Sequence, residues 1–353
     1  MAAIKNFRSN DGLKDSIMKI NNVLGNLYKA SYAPVMATGI ISISLYAHRF
    51  FILSRAVLAI CSLFFLVLLS LSVWNSIKSH SLAFIHPKKE RFNNFTFLAG
   101  LSLLLMRISL ISSPFSLFII GGILFFVVLF YTVAFIAVLL ARKRFSVSEA
   151  SALWLVSEIP LLSTSILLSW LGHVNSGLSN LFVIFVLVSY FMAVVFYTLI
   201  LILNLLRWLR RGIWVEKISG ITWITMGFGG LISIASYYLV LYDSLNFQVY
   251  RVVYLIMILS FIVASFLLPV VTYLSMLKLK ASRTYGYNAS LWSSLFPISV
   301  YSLASFIFSK IFHSPIIYNY SLIFEFLSLV LLVLYILLLF VPPGIVRKGQ
   351  DRK

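Results

Sequence analysis

The sequence predicts an all-α membrane protein with ten transmembrane helices arranged as five helical hairpins. Of the 353 residues, 61% are hydrophobic and only 10% are charged, whereas soluble domains carry about 25% charged residues. Uncharged stretches long enough to cross a bilayer recur along the chain, for example residues 115–141 and 178–206. Lys and Arg are concentrated in alternate connections between these stretches. The composition excludes a soluble fold, and the placement of the basic residues gives the topology.

Apolar runs separated by polar connections define the ten helices, of which the first and third are the shortest. We predict helices at residues 32–47, 52–77, 92–110, 115–141, 150–172, 178–206, 219–241, 252–277, 290–311 and 317–341. Together they form a transmembrane domain over residues 32–341. Residues 342–353 form a short basic tail.

The N-terminal tail, residues 1–31, has apolar residues that fall on one helical face. They are Leu13, Ile17, Ile20, Leu24 and Leu27. This pattern is typical of an amphipathic helix lying on the membrane surface. A partly disordered tail is the alternative.

Basic residues on one side of the membrane greatly outnumber those on the other. The side of the membrane that the chain reaches after each odd-numbered helix keeps only five of the 28 Lys and Arg residues, namely Arg49, Arg55, Arg107, Arg251 and Lys310. Because positive charge is retained in the cytoplasm, we expect both termini there and the protein in the plasma membrane. The same placement explains the net charge of +19 as topology, so we expect no nucleic-acid partner.

The odd-numbered helices differ from the even-numbered ones in carrying Pro, Gly and hydroxyl residues. Helices with breaks and hydroxyl groups need protein or water beside them. We therefore expect the odd helices to form an inner ring around a central pore, with the even helices facing lipid. The candidate pore-lining or kink residues are Thr38, Gly39, Ser42, Gly100, Pro160, Ser163, Thr225, Gly227, Ser293 and Pro297. The plain alternative is that Gly and Pro are simply common in membrane helices.

Clustered catalytic groups are absent from the sequence. It contains no HExxH, GxSxG or GxxxxGK[ST] motif, and its single cysteine, Cys61, excludes an internal disulfide. We therefore expect no enzyme activity, no cofactor and no metal. A membrane-embedded enzyme acting on lipid, or a membrane sensor without transport, remains the alternative.

Only two carboxylates, Glu158 and Glu325, lie inside predicted helices. Such residues usually face a partner or a cavity, because a charge at the bilayer centre is costly. Glu158 is a candidate for binding a proton or pairing with Arg107, or else a purely structural group. With few acids on the inner helices, the hydroxyls and basic rim favour small anions over cations.

Four short segments resemble the tellurite-resistance/dicarboxylate transporter family, which includes malate permeases, sulfite pumps and plant slow anion channels. Residues 32–42 carry an M-x-T-G-x-x-S core, and His86-Pro87 precedes the third helix. Residues 154–160 resemble the fifth-helix W-L-x-P-x-x-P region, and residues 292–297 resemble the ninth-helix W-x-x-x-F-P signature.

The resemblance implies an inner ring of odd helices around a pore in each subunit of a homotrimer. It also implies that Phe296 is a pore-occluding aromatic, and that the substrate is a small anion. C4-dicarboxylates such as malate, and monovalent chloride, nitrate or sulfite, are the candidates, with channel-like or proton-linked movement. Two departures stand out: Ser294 and Leu295 precede the Phe-Pro pair, and Glu158 replaces a family Pro.

Overall fold

The computed structural model describes residues 23–28, 30–79, 91–112, 115–141, 152–174, 179–211, 222–241, 245–281, 287 and 289–340. After the helical residues 23–28, these ranges contain ten α-helices in chain order, and the all-α polytopic fold is confirmed. The helices are α1 Ala33–Ala47, α2 Phe51–Ser79, α3 Arg91–Ser109, α4 Phe115–Ala141, α5 Ile159–Val174, α6 Ser179–Arg211, α7 Trp223–Val240, α8 Phe247–Ala281, α9 Trp292–Ile311 and α10 Pro315–Leu339. Short 3₁₀ helices, Ala152–Ser157 and Ala289–Leu291, precede α5 and α9.

The lengths of the helices fit a bilayer. Within the described ranges, eight spans are long and apolar enough to cross a membrane, and α1 and Asn94–Ser109 of α3 are shorter apolar helices. These two are the helices that the sequence predicts to be shortest. The structure extends α6 to Arg211 and starts α8 at Phe247, so both are longer than predicted.

The odd-numbered helices close a ring. α1 packs against α3, α3 against α5, α5 against α7, α7 against α9, and α9 against α1. In the most apolar stretches of the α5, α7 and α9 spans, 94%, 78% and 83% of the residues are buried. In the even-numbered helices the buried share lies between 17% and 39%. The predicted division into inner odd helices and outer even helices therefore matches the packing.

Each inner helix is followed in the sequence by an outer helix, and the connections from α1 to α2 and from α9 to α10 share one backbone geometry. Arg49 between α1 and α2 has a φ of 68°, and His313 between α9 and α10 has a φ of 49°. In each turn the next N–H donates to a carbonyl five residues earlier, at 2.9 Å and 3.1 Å. A left-handed residue after the helix end lets the chain reverse direction at once.

Glycines allow the inner helices to approach closely. A Cβ atom at Gly227 of α7 would lie 2.5 Å from the Cβ of Pro297 in α9. A Cβ at Gly39 of α1 would lie 3.2 Å from the Cβ of Leu103, and one at Gly100 of α3 would lie 3.1 Å from Val35. The helices continue through all three glycines. These residues therefore serve packing and do not interrupt the helices.

The two inner prolines differ from the expected kinks. Pro160 is the second residue of α5, where a missing N–H costs nothing. The break in the fifth span instead lies at Glu158, between the 3₁₀ helix and α5. Pro297 lies inside α9, which continues past it to Ile311.

The predicted N-terminal amphipathic helix lies mostly outside the described residues, because residues 1–22 are not among them. Residues 23–28 are helical, and Leu27 is buried. The carbonyl of Asn26 accepts a hydrogen bond of 3.2 Å from the hydroxyl of Tyr287. This last part of the tail thus packs on the protein.

Candidate functional site

Phe296 lies on α9 within the closed ring and is only 3% exposed. Many aromatic residues of the protein pair with another ring; its neighbour on the same helix, Phe308, stacks on Phe261 of α8 at 4.0 Å. Among the described residues, Phe296 has no such ring partner. Phe296 is therefore buried without belonging to an aromatic pair of the kind that Phe308 forms with the outer helix α8.

The contacts of α9 define the direction in which Phe296 points. Pro297 and Val300 face α7, where a Cβ at Gly227 or Gly230 would touch them. The Ser302 hydroxyl lies 2.9 Å from the Ser321 carbonyl of α10. With about 100° between successive residues, Phe296 lies about 120° around α9 from Ser302 and points away from α10. That side, between α7 and α1, faces the middle of the ring.

The hydroxyl groups predicted to line a pore are mostly bonded to the protein. Thr38 donates to the Pro34 carbonyl at 2.7 Å, and Thr225 donates to the Thr222 carbonyl at 2.7 Å. Ser42 donates to the Ser54 carbonyl of α2 at 2.8 Å, so its side chain points toward an outer helix. A pore-lining role for Ser42 stays a prediction, because its hydroxyl is already bonded to α2.

Ser163 behaves differently from these residues. It is fully buried on α5, and its hydroxyl has no hydrogen-bond partner in the structure. Trp170, seven residues later on the same face, also has an unpartnered ring N–H and meets Tyr238 of α7 at 6.1 Å between ring centroids. A buried polar group without a partner requires explanation, and an unplaced water or ion is one. Ser293 is half-buried at the start of α9.

Arg107 is buried at the junction of α1, α2 and α3, with 1% exposure. Its Nε donates to the Ser42 hydroxyl at 3.0 Å, and its Nη2 donates to the Ser54 hydroxyl at 2.8 Å. The guanidinium also lies 4.6 Å from the centre of the Tyr46 ring. Its Nη1 has no partner. The structure thus holds a positive charge in the apolar part of the protein without a carboxylate beside it among the described residues.

Glu158 does not pair with Arg107, contrary to one of the expectations. Its Oε1 lies 3.4 Å from the Ser157 hydroxyl, and its Oε2 has no partner. The odd helices run in the same direction, with Glu158 before the first turn of α5 and Arg107 in the last turn of α3. About 20 Å of helix rise therefore separates the two along the ring axis. Glu158 is fully buried at the break before α5.

The described residues contain no group of three or more His, Cys, Asp or Glu side chains that could hold a metal ion. The buried polar side chains described on the inner helices and at the break before α5 are mostly hydroxyls, together with the Arg107 guanidinium and the Glu158 carboxyl group. These groups can interact with a small ion without forming a fixed coordination site.

A comparison with protein families agrees with this arrangement. The sequence model of the voltage-dependent anion channel family matches residues 26–341, which contain all ten helices and all four of the recognised motifs. The chain belongs to this family. A comparison with individual curated proteins gives no match.

Membership of the anion channel family establishes the broad activity of the protein. It is a multi-pass membrane protein of a channel-like, anion-transporting family, and this family consists of transporters and channels and not of enzymes. The resemblance detected in the four motifs is thereby confirmed. The ring of odd helices supplies the architecture for such a pathway.

One polar cluster was not predicted as a unit. Glu325 belongs to the outer helix α10 but is fully buried, and His48 at the end of α1 is 5% exposed. The His48 Nδ1 and the Glu325 Oε2 are 4.0 Å apart. The spacing of polar residues on α10 contains the signal, because Ser321, Glu325 and Ser328 recur at helical intervals in an otherwise apolar sequence.

Proposed function

We propose that small anions cross the membrane through the middle of the five-helix ring, and that Phe296 gates this path. The observation that carries the proposal is the closed ring of α1, α3, α5, α7 and α9 with Phe296 on its inner side. A ring of apolar side chains closes a narrow path by excluding water, and moving one large side chain opens it. Pro297 contacts Gly227 and so fixes the backbone next to the gate.

The charges favour anions. The one fully buried Arg among the described residues, Arg107, has no carboxylate beside it and raises the potential near the outer end of the ring. The unpartnered hydroxyl of Ser163 offers a donor to an anion in transit. Cations would need carbonyl or carboxylate ligands, and within the described part of the chain Glu158 is the one carboxyl group buried among the inner helices.

Among anions, the ring suits a monovalent ion such as chloride or nitrate better than a C4-dicarboxylate such as malate. A dicarboxylate brings two charges into a low-dielectric path, and each requires a compensating group. Among the described Lys and Arg side chains of the inner helices, Arg107 lies at the junction with α2 and Lys310 is exposed at the end of α9. Neither faces Phe296.

Glu158 is the residue we propose to tune or couple the movement. Its carboxyl group is buried at the break before α5, with one oxygen unpartnered. If it binds a proton, movement of the anion is linked to a proton. If it stays charged, it slows anions at that end of the path.

The remaining features follow from the resemblance and the charge pattern. We propose a homotrimer in the plasma membrane with both termini in the cytoplasm. Because the ring is complete within one chain, each subunit would hold its own path. The mass of the detergent-solubilised protein by light scattering tests the trimer, and a monomeric mass would contradict it.

The first experiment measures anion uptake into liposomes that contain the purified protein or the Phe296→Ala variant. Chloride, nitrate and malate are compared as substrates. We expect Phe296→Ala to raise chloride and nitrate uptake by about tenfold or more, since each 1.4 kcal/mol removed from a barrier raises a rate tenfold. Faster malate uptake than chloride uptake would instead identify the dicarboxylate as substrate.

Phe308→Ala is the matched control. Phe308 lies on the same helix and is buried to the same extent, but its ring stacks on Phe261 of α8. We expect this variant to lose stability without faster uptake. Equal effects of the two variants would mean that Phe296 is a packing residue.

A further inference from the structure

A buried carboxyl group on a lipid-facing helix is the polar feature that the anion path leaves unexplained. Glu325 lies in the middle of α10, and only 28% of the most apolar stretch of this helix is buried. Glu325 itself is fully buried and faces α1 and α9. A charge in this position is costly unless it has partners.

Two hydroxyl groups from different inner helices serve as these partners. The Ser302 hydroxyl of α9 lies 2.8 Å from the Oε2 of Glu325, and the Ser44 hydroxyl of α1 also donates to this oxygen. The other oxygen, Oε1, has no partner. Glu325 therefore connects α1 and α9, two neighbours in the ring, from the outer side.

His48 completes the cluster. Its Nδ1 is 2.9 Å from the Ser44 carbonyl, so this nitrogen carries a hydrogen. Its Nε2 is 2.9 Å from the Ser321 hydroxyl. That hydroxyl has one hydrogen, and it also lies 2.7 Å from the Tyr318 carbonyl. When the hydroxyl donates to the carbonyl, Nε2 must donate, and His48 is an imidazolium; when it donates to Nε2, His48 is neutral.

The cluster therefore has two consistent arrangements of protons. In one, a neutral His48 lies beside a charged Glu325. In the other, one proton taken up from water lies either on His48, as an imidazolium beside the carboxylate, or on Glu325, as a neutral carboxyl group. The titratable and charged groups facing the pair, within the described part of the chain, are few. Lys310 of α9 lies near His48 and repels a charge there, and Tyr318 of α10 lies beside the imidazole ring at 6.1 Å.

We propose that Glu325 and His48 form a proton-binding site that makes anion passage depend on pH. Protonation removes the negative charge of Glu325, so its hydrogen bonds to the serine hydroxyls are no longer charge-assisted and become weaker. This weakens the connection between α1 and α9. Phe296 is six residues before Ser302 on α9, so a change at this contact reaches the gate through a single helix. The proposal rests on the anion pathway and on Phe296 as its gate.

Anion uptake into liposomes between about pH 5 and pH 8, the range in which imidazole titrates, tests the proposal. The wild-type protein is compared with Glu325→Gln and His48→Gln. We expect the wild-type rate to change with pH and both variants to lose this dependence. His313→Gln is the matched control, because His313 is an exposed histidine at the same end of the protein, and it should keep the wild-type profile.

A spectroscopic measurement separates this proposal from the anion pathway. Infrared difference spectra of the purified protein, taken as the pH is lowered, should contain a protonated-carboxyl band that is missing in Glu325→Gln. If this infrared band changes with pH but the protein takes up no anion, the proposed function is contradicted, whereas Glu325 still binds a proton. Uptake with an unchanged pH profile in Glu325→Gln and His48→Gln, or no such band, would overturn the proton site. If Glu325→Gln does not fold, the pH profile of anion uptake by His48→Gln, compared with His313→Gln, still decides the question.

Discussion

Arg107 is held more firmly than a surface arginine. Its guanidinium lies between the hydroxyls of Ser42 and Ser54, and these two serines also donate to each other's carbonyls, at 2.8 Å and 2.6 Å. The pair of serines therefore joins α1 to α2 and orients Arg107 at the same time. A planar group with several donors is needed to reach both hydroxyls.

We predict that Arg107→Gln lowers the stability of the protein by about 1.5–3 kcal/mol, the usual cost of losing a hydrogen bond to a charged group. Arg107→Lys should also destabilise, because an ammonium cannot bind both serines in the same geometry. Thermal unfolding in detergent is the measurement. Arg55→Gln, an exposed arginine at the same end of α2, is the control and should unfold like the wild-type protein. Equal midpoints for all four proteins would contradict this role.

At the level of single residues, the sequence shows which polar residues lie in apolar helices, but it does not show toward which neighbouring helix each side chain points. Glu158 and Ser163 were recognisable because polar groups are rare in apolar helices. The observed partners of Ser42 and Arg107 were not predicted, because they lie on other helices. No local pattern reveals contacts between residues that are 53 or 65 positions apart.

At the level of helices, the contact between α7 and α9 is the closest in the ring. Gly227 lies against Pro297, and a Cβ there would also be 2.7 Å from the Pro297 Cα. A proline ring in a continuous helix has no rotamer to move out of the way. The two helices therefore cannot accept an added methyl group without moving apart.

We predict that Gly227→Ala destabilises the protein by about 1–3 kcal/mol, the typical cost of overpacking. The control is Gly121→Ala in α4, where the Cβ would be 3.3 Å from the flexible end of Leu168. Thermal unfolding of both variants in one detergent measures the difference. If Gly227→Ala is as stable as Gly121→Ala, the helices have room to separate, and the gate next to Pro297 is less constrained than proposed.

Helix number and order were predictable because each membrane span must be apolar over its whole length. The break in the fifth span was predicted from Pro160, but it lies at Glu158, since proline is favoured in a first turn and not in the middle of a helix. A glycine in a membrane helix can allow either a bend of the helix or a close approach of a neighbouring helix. Only the neighbouring helix distinguishes them, as Pro297 does for Gly227.

For the molecule as a whole, the ring follows from five hairpins placed side by side, with the polar or broken helix of each on the inside. Hydropathy and charge predicted this arrangement, since lipid tolerates uniformly apolar helices better than helices with polar groups. The contact of Glu325 with α1 was not predicted. It joins the last hairpin to the first, and its residues are up to 281 positions apart in the sequence. The contact that closes the ring therefore forms only when the first and last hairpins have come together, and no local stretch of sequence predicts it.

The orientation in the membrane is the prediction that belongs to this scale. Basic residues at the even-to-odd connections should lie in the cytoplasm, so Arg210, exposed at the end of α6, and His313, exposed between α9 and α10, should be on opposite sides. The single cysteine, Cys61, is buried, so a Cys61→Ala background permits one added cysteine at a time. In intact cells, a membrane-impermeant maleimide should label His313→Cys at once and Arg210→Cys only after permeabilisation. The reverse labelling pattern would mean that both termini lie outside the cell and that His48 lies at the cytoplasmic end of the protein.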